Sequence, residues 1–449
     1  MGKENRKTLV ECVLRGFRVP GAGIEPARIA PRVCETSAST DSAIRANRRI
    51  DLLVEECKGI GNFGICKIFV AMVETNMYLC EIMFEFMEHM DIFQGGVRVS
   101  SVVCGGGMSL KSDLGESLKP YNHIFAVVDR HVVMNSPVVY DLVQEFLGDG
   151  VPVKVLDVSE SLKTMDTVLE VCSWLLDLGA DRDALVVAVG GGITTDMAGF
   201  AASIYKRGVR YANVPTTLLA QVDAALGGKT GVNHEKYKNI LGVICQPEFT
   251  FLCPQVLESL PRRDFLSGAA EMLKTFIIED GGMYDRAVAY MTEYAAGQAE
   301  TSAKELGELI RAAAGVKAGV VSRDQFEKGE RRVLNLGHTF AHAIETLAQR
   351  DGADVTHGEA VAIGMVMAAR LADRLSEPEA GDGLEVRLKK DFKACGLPVD
   401  CPYSINEMAQ AMKKDKKAEG GKIHFVVPRE IGKVEIVDLT VDEVVKLLK

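Results

Sequence analysis

The chain has 449 residues, 47% hydrophobic and 25% charged, which is ordinary globular composition with room for two domains and substantial cores. A formal net charge of -10 with no basic block excludes a protein that coats nucleic acid. Eleven cysteines without a CxxC pair suit a reducing cytoplasm better than a disulfide framework, and no apolar run reaches the ~18 residues of a membrane-spanning helix.

Residues 1–90 read as a poorly patterned extension. Pro20-Gly21-Ala22-Gly23 and Ser37-Ala38-Ser39-Thr40 interrupt it, and the parts of a secretory signal are missing. Residues 19–32, VPGAGIEPARIAPR, look like the peptide produced when a transfer-RNA gene is translated. The expected natural start is therefore an internal methionine: Met77, Met83, Met87 or Met90. Residues 91–260 alternate strand-like runs (123–129, 152–158, 185–189, 211–214) with helical ones (138–146, 161–178), the pattern of a parallel sheet with crossovers. In 261–449 six stretches favour helix (269–278, 283–295, 302–321, 333–350, 359–375 and 385–395), and only 423–427 and 433–437 look like strands.

Two stretches carry chemistry. In the first, Leu185 to Val189 is followed at once by Gly190-Gly191-Gly192 and Thr194-Thr195-Asp196. Glycines at a strand-to-helix switch let the backbone approach a phosphate, although the same triplet also makes a plain turn. Thr216, Thr217, Asp223, Gly227-Gly228-Lys229 and Lys238-Asn239 follow closely, supplying polar groups near expected strand ends. In the second stretch, His338 and His342 lie four apart on one helical face, His357 comes soon after, and Glu271 and Lys274 share a face upstream. Neutral imidazoles with a carboxylate suit zinc with an open position, or else these are hydrogen-bonded surface histidines; spacing alone does not locate the remaining ligand. On the same footing Lys274 could be an exposed helix lysine, Asp223 a helix cap or surface charge, Trp174 core, and Glu345 and Glu359 structural.

Taken together, GGGITTDMAGF, YKRG, VPTTLLAQVDAALGGKTGVN, AAEMLK, VKAGVVSRD, GERRVLNLGHTFAHAIE and HGEAVAIGM resemble 3-dehydroquinate synthase, of the sugar-phosphate cyclases, in order from about Val97 to the C-terminus. The resemblance implies an α/β NAD-binding domain with a Rossmann-like parallel sheet, then an all-α metal-binding domain, in a homodimer. It implies NAD+ at Asp129, Glu160, Lys163, Gly191, Gly192, Asp196, Thr216, Thr217 and Lys238, and zinc or cobalt on Glu271, His338 and His357. An anionic sugar phosphate would meet Lys229, Asp223, Asn239, Lys274, Lys317, Arg331, Asn335 and His342; one of Lys416 and Lys417 would close over its phosphate, and Arg207 would reach the neighbouring subunit's site.

The activity implied is conversion of 3-deoxy-D-arabino-heptulosonate 7-phosphate to 3-dehydroquinate by transient oxidation, phosphate elimination, re-reduction and internal aldol closure, with no nucleic acid or membrane partner. The chain departs from the family pattern at Asp129-Arg130-His131, Ser159-Glu160 and Asp324-Gln325, and in a longer loop between His342 and His357. Another sugar-phosphate cyclase, a metal-dependent glycerol-type dehydrogenase and a non-enzymatic relative are the alternatives.

Overall fold

A computed structural model describes residues 89–105, 110–235, 237–297, 303–376, 383–415 and 421–449, so residues 1–88 of the expected extension, with the candidate starts Met77, Met83 and Met87, lie outside the described residues. The strands, in chain order, are β1 (His89–Gln94), β2 (Val97–Cys104), β3 (Ile124–Asp129), β4 (Val153–Leu156), β5 (Leu185–Gly190), β6 (Arg210–Pro215), β7 (Lys229–His234), β8 (Tyr237–Ile244) and β9 (Phe249–Leu252). Seven of them form one sheet in the order β1-β2-β9-β6-β5-β3-β4, parallel except for the β1–β2 pair at one edge. Among the described residues the first strand runs from His89, just inside the stretch expected to be extension.

Helices α1 (Leu110–Leu118), α2 (Arg130–Asn135), α3 (Pro137–Gly148), α4 (Met165–Asp177) and α5 (Gly192–Ile204) make the crossovers. Side chains alternate across the sheet. Ala126, Val128, Leu185, Val187, Val189 and Val214 point into a core shared with α3 and the helical half, while Phe125, Val127, Val186, Ala188 and Tyr211 pack under α4 and α5. Every residue of β5 is buried, which is why the run is uninterruptedly apolar. Trp174 packs on that second core, edge-on to Phe125 with ring centroids 5.9 Å apart. Because β4 and β5 flank β3 on opposite sides, the strand order reverses there, and the crevice beyond the carboxyl ends of β3 and β5 is where such sheets receive ligands.

Downstream run α6 (Arg262–Ile278), α7 (Gly281–Ala295), α8 (Ala303–Arg323), α9 (His338–Asp351), α10 (His357–Leu375), α11 (Leu384–Ala394), α12 (Ile405–Asp415) and α13 (Val441–Leu448). An antiparallel hairpin, β10 (Ile423–Glu430) and β11 (Lys433–Leu439), interrupts them, so this half is helical but carries the two strands that its sequence pattern suggests. Two departures bear on the site. The helix expected over 333–350 begins only at His338, because Glu330–Asn335 winds as a 3₁₀ turn and Gly337, at φ +78°, breaks the register. The β7–β8 hairpin was not expected: β8 is exposed along almost its whole length and shows no apolar alternation.

Candidate active site

At the nucleotide end, most of the groups the resemblance points to lie on strand ends and the turns after them. Asp129 ends β3 and caps α2, accepting from the His131 backbone N–H at 2.8 Å. Gly191 is the N-cap of α5 and makes no side-chain cap bond, leaving the first N–H groups of that helix for another acceptor. A Cβ on Gly191 would press on Thr217 Cγ2 at 3.1 Å, and one on Gly192 would press on Ala224 Cβ at 3.1 Å, so both glycines keep the turn tight. Thr216 Oγ1 is buried without a hydrogen-bond partner, while Thr217 Oγ1 accepts from the Ala220 N–H. Lys163, 4% exposed, donates to Asp196 Oδ2 and to Asn239 Oδ1, both at 2.5 Å, and thereby ties α5 to β8. Burial raises the Asp196 pKa despite this lysine. Glu160 accepts from Asn233 Nδ2 at 2.8 Å. Bare N–H groups, a tight glycine turn and an orphaned hydroxyl fit a phosphate-bearing dinucleotide.

The metal end is assembled from three helices. Glu271 on α6, His338 at the start of α9 and His357 at the start of α10 each offer a ligand atom, and these atoms lie within 4.8 Å of one another. Glycine makes the approach possible. A Cβ on Gly358 would collide with the Ser267 backbone, and one on Gly364 with the Gly337 carbonyl, so α6 and α9 come against α10 backbone to backbone. Thr356 and Glu359 form a capping box that fixes the first turn of α10, and Arg263 grips Glu359 through two bonds of 2.9 and 2.8 Å. Glu359 is structural, as expected.

Both oxygens of Glu271 are fully buried and accept no well-aligned hydrogen bond, although Lys274 Nζ stands 2.5 Å away and His357 Nε2 3.2 Å away. Burial raises the Glu271 pKa, but Lys274, His338 and His357 outweigh that and hold it well below the usual range. Burial, with Lys274 alongside, pulls His338 down to about 3, so its imidazole is neutral. Its Nδ1–H points to the Leu336 carbonyl at 3.1 Å, leaving the Nε2 lone pair toward Glu271. The His357 side chain is 35% exposed; its partial burial would lower the pKa, yet the flanking Glu271 and Glu345 carboxylates hold it up to about 10. A buried, unsatisfied carboxylate between two imidazole Nε2 atoms fits a divalent cation such as zinc.

Next to this cluster lies a second buried one. Asp223 sits in a π-helical turn, Ala220–Ala224, and draws in two lysines from the helical half. Lys317 of α8 bonds its carboxylate and, at 2.7 Å, its carbonyl; Lys274 of α6 is 3.7 Å from the carboxylate. Lys274 is 1% exposed, so it is no surface lysine, and its two carboxylates raise its pKa against the pull of burial. Burial wins for Lys317, which falls to about 8 with Lys274 and Arg331 nearby. Arg331, also buried, donates to the carbonyls of Gly227 and Gln325.

Gly227 and Gly228, at φ +88° and +71°, turn the chain so that Lys229 meets Glu327, whose other oxygen accepts from Asn335 Nδ2 at 2.8 Å. Glu327 was not among the expected site residues; it lies in a loop at φ +56° and no periodicity marks it. Glu345, taken as structural from sequence, stands against both His357 and Lys238. Its position seven residues after His338 on the same face was the available signal.

His342 lies on the exposed side of α9, its ring 5.8 Å from that of His338. Arg207 is exposed at the far end of α5, in a left-handed turn with Lys206 and Gly208. Lys416 and Lys417 fall outside the described residues.

The fold and site define a class: a nucleotide-type α/β sheet whose carboxyl edge meets a helical half bearing a Glu–His–His cluster. Family models described as 3-dehydroquinate synthase N-terminal and C-terminal match residues 153–267 and 268–418. The 3-dehydroquinate synthase of Acidithiobacillus ferrooxidans (strain ATCC 53993 / BNL-5-31) is 42% identical over 63% of this chain and 76% of its own. That of Pyrococcus abyssi is 38% identical over 74% and 94%. Among solved structures, 2-epi-5-epi-valiolone synthase from Streptomyces hygroscopicus subsp. jinggangensis 5008, with NAD+ and Zn2+ bound, aligns with a TM-score of 0.63 at 30% identity over 74% and 91%. The chain belongs to the 3-dehydroquinate synthase family.

Proposed function

We propose that this chain converts 3-deoxy-D-arabino-heptulosonate 7-phosphate into 3-dehydroquinate and phosphate, the carbon–oxygen lyase step of its family in the shikimate route to aromatic amino acids. The observation that carries the reading is the Glu271–His338–His357 cluster set beside the buried Lys274–Asp223–Lys317 group. NAD+ held at the α5 turn would supply a returning hydride acceptor, and zinc or cobalt on the three ligands a Lewis acid. Asp129, Glu160, Lys163, Gly191, Gly192, Asp196, Thr216, Thr217 and Lys238 are assigned to the nucleotide.

The substrate carries a carboxylate and a phosphate, so it needs cations inside an acidic protein. Lys229, Lys274, Lys317, Arg331 and one of Lys416 or Lys417 provide them. Asp223 holds two of these lysines in place, and Asn239, Asn335 and His342 complete the polar lining. Much of the chemistry needs one substrate conformer held still, which this fixed set of charges favours. Arg207, exposed and away from its own site, is assigned to the neighbouring subunit of a homodimer. The scattered cysteines, with no CxxC pair, support a cytoplasmic enzyme; no helix among the described residues is long and apolar enough to cross a membrane.

The test is to supply purified protein with the heptulosonate phosphate and catalytic NAD+. Phosphate release without net NADH supports the reading. Stoichiometric NADH would make it a dehydrogenase, and turnover only of another sugar phosphate a different cyclase.

A further inference from the structure

Glu345 occupies a place that neither the nucleotide site nor the metal ligands account for. It sits on α9, one helical face with His338 and His342, and is mostly buried, its side chain 18% exposed. Its Oε1 lies 3.4 Å from His357 Nδ1 and 3.8 Å from Lys238 Nζ. One carboxylate oxygen therefore lies against a metal ligand from α10 and a lysine from the β7–β8 hairpin. The His357 ring can satisfy only one neighbour with each nitrogen. With Nδ1–H turned to Glu345, Nε2, 3.2 Å from Glu271 Oε1, is the nitrogen whose proton a metal would displace.

We propose that Glu345 is a positioning residue: it selects the tautomer and ring orientation of His357 for metal binding and, through Lys238, fastens the hairpin of the nucleotide half to the metal helices. The inference rests on reading Glu271, His338 and His357 as a metal site. A carboxylate behind a ligating histidine fixes the ring and raises its basicity, and losing such a partner lowers metal affinity by about 10–100-fold. His338 has the same arrangement with a different acceptor, the Leu336 carbonyl, so a backbone group orients one imidazole and Glu345 orients the other.

The experiment titrates zinc into metal-free full chain against a competing chelating dye, for the wild type, Glu345→Ala and Glu345→Gln, with thermal melting of each metal-free protein alongside. Glu345→Ala is expected to bind zinc about 10–100-fold more weakly, while its metal-free melting temperature stays within about 3 °C. Glu345→Gln, whose amide oxygen still accepts from Nδ1, is expected to recover most of that affinity. The volume-matched Glu345→Leu replaces the alanine protein if the latter does not fold. Loaded with cobalt, Glu345→Ala should also show altered visible d–d bands, which a remote packing defect would leave alone. Wild-type zinc affinity in Glu345→Ala overturns the proposal, as does a Glu345→Gln protein as weak as the alanine one. A wild-type protein that takes up no zinc would instead overturn the metal-site reading beneath it.

Discussion

The nucleotide end and the metal end of this cleft hold charge by different means. At the first, the proposed binding surface is largely backbone: Gly191 and Gly192 at the start of α5, with Thr216 after β6 and one lysine, Lys163, spread between Asp196 and Asn239. At the second it is side chains taken out of water, with Glu271 and Lys274 at 0% and 1% exposure and Asp223 and Lys317 packed beside them. A backbone site tolerates change in surrounding side chains provided the turn survives. A buried ionic cluster does not, because each charge is tolerable only while its partners remain. Damage at the metal end should therefore reach both stability and chemistry, whereas damage at the nucleotide end should be repaired by more cofactor.

The sharpest break is removal of a metal ligand. His338→Ala and His357→Ala should each lose zinc on desalting and fall to background turnover, since three protein ligands are the minimum of a tight catalytic site. His342→Ala should keep its zinc and lose turnover; equal zinc loss in all three proteins, measured by metal analysis, would mean the ligand set is drawn wrongly. Next comes Lys274→Met, which leaves Glu271 and Asp223 short of a counter-charge. In the metal-free protein it should cost about 3–5 kcal/mol in denaturant unfolding, and less once zinc neutralises Glu271.

Lys229→Ala and Asp196→Ala separate the two ends in one kinetic experiment. Lys229 is half-exposed and paired with Glu327, so its loss should lower kcat/KM for the sugar phosphate by roughly 10–100-fold with NAD+ affinity nearly unchanged. Asp196→Ala should instead weaken NAD+ binding, with activity partly restored by excess cofactor. Should Lys229→Ala lower the melting temperature yet leave kinetics normal, that lysine serves only to neutralise Glu327.

The smallest effect is a pH dependence. Lys317 is held down to about 8 by burial, so its ammonium is present below that pH and lost above it. Substrate binding that uses this charge should make kcat/KM decline above pH 8, approaching tenfold per unit, and Lys317→Arg should abolish the decline. Stability runs the opposite way. The unfolded chain keeps this proton to about 10.5 and the folded chain only to about 8, so in that window the unfolded state binds more protons and this group's contribution rises with pH. A flat kcat/KM from pH 7 to 9 would remove Lys317 from the substrate's partners.

Periodicity and turn residues were enough to place the four strands β3 to β6 of the layered half, but not β1, β2 and β9, which complete the sheet. The apolar run of β5, the glycines behind it and the helix that follows appear where sequence puts them, because strand burial and helix entry are local consequences of residue type. Spacing also put His338 and His342 on one face, and the family's motifs singled out Glu271 and His357 as the companions. What only tertiary structure decided is how these residues meet. Gly358 and Gly364 let three helices approach to backbone contact; Asp223 draws Lys274 and Lys317 out of solvent; Glu327 faces the site from a loop position that no local pattern marks, and Glu345 from a helical face whose partners across the fold no local pattern gives. The β7–β8 hairpin was missed for a related reason. Its exposed strand buries too little to leave an alternating signature, and its role comes from contacts through Lys238 and Asn239 with residues far away in the chain. Local order follows from how each residue meets its neighbours in sequence and water, while a buried charge becomes tolerable only when distant elements deliver its partner.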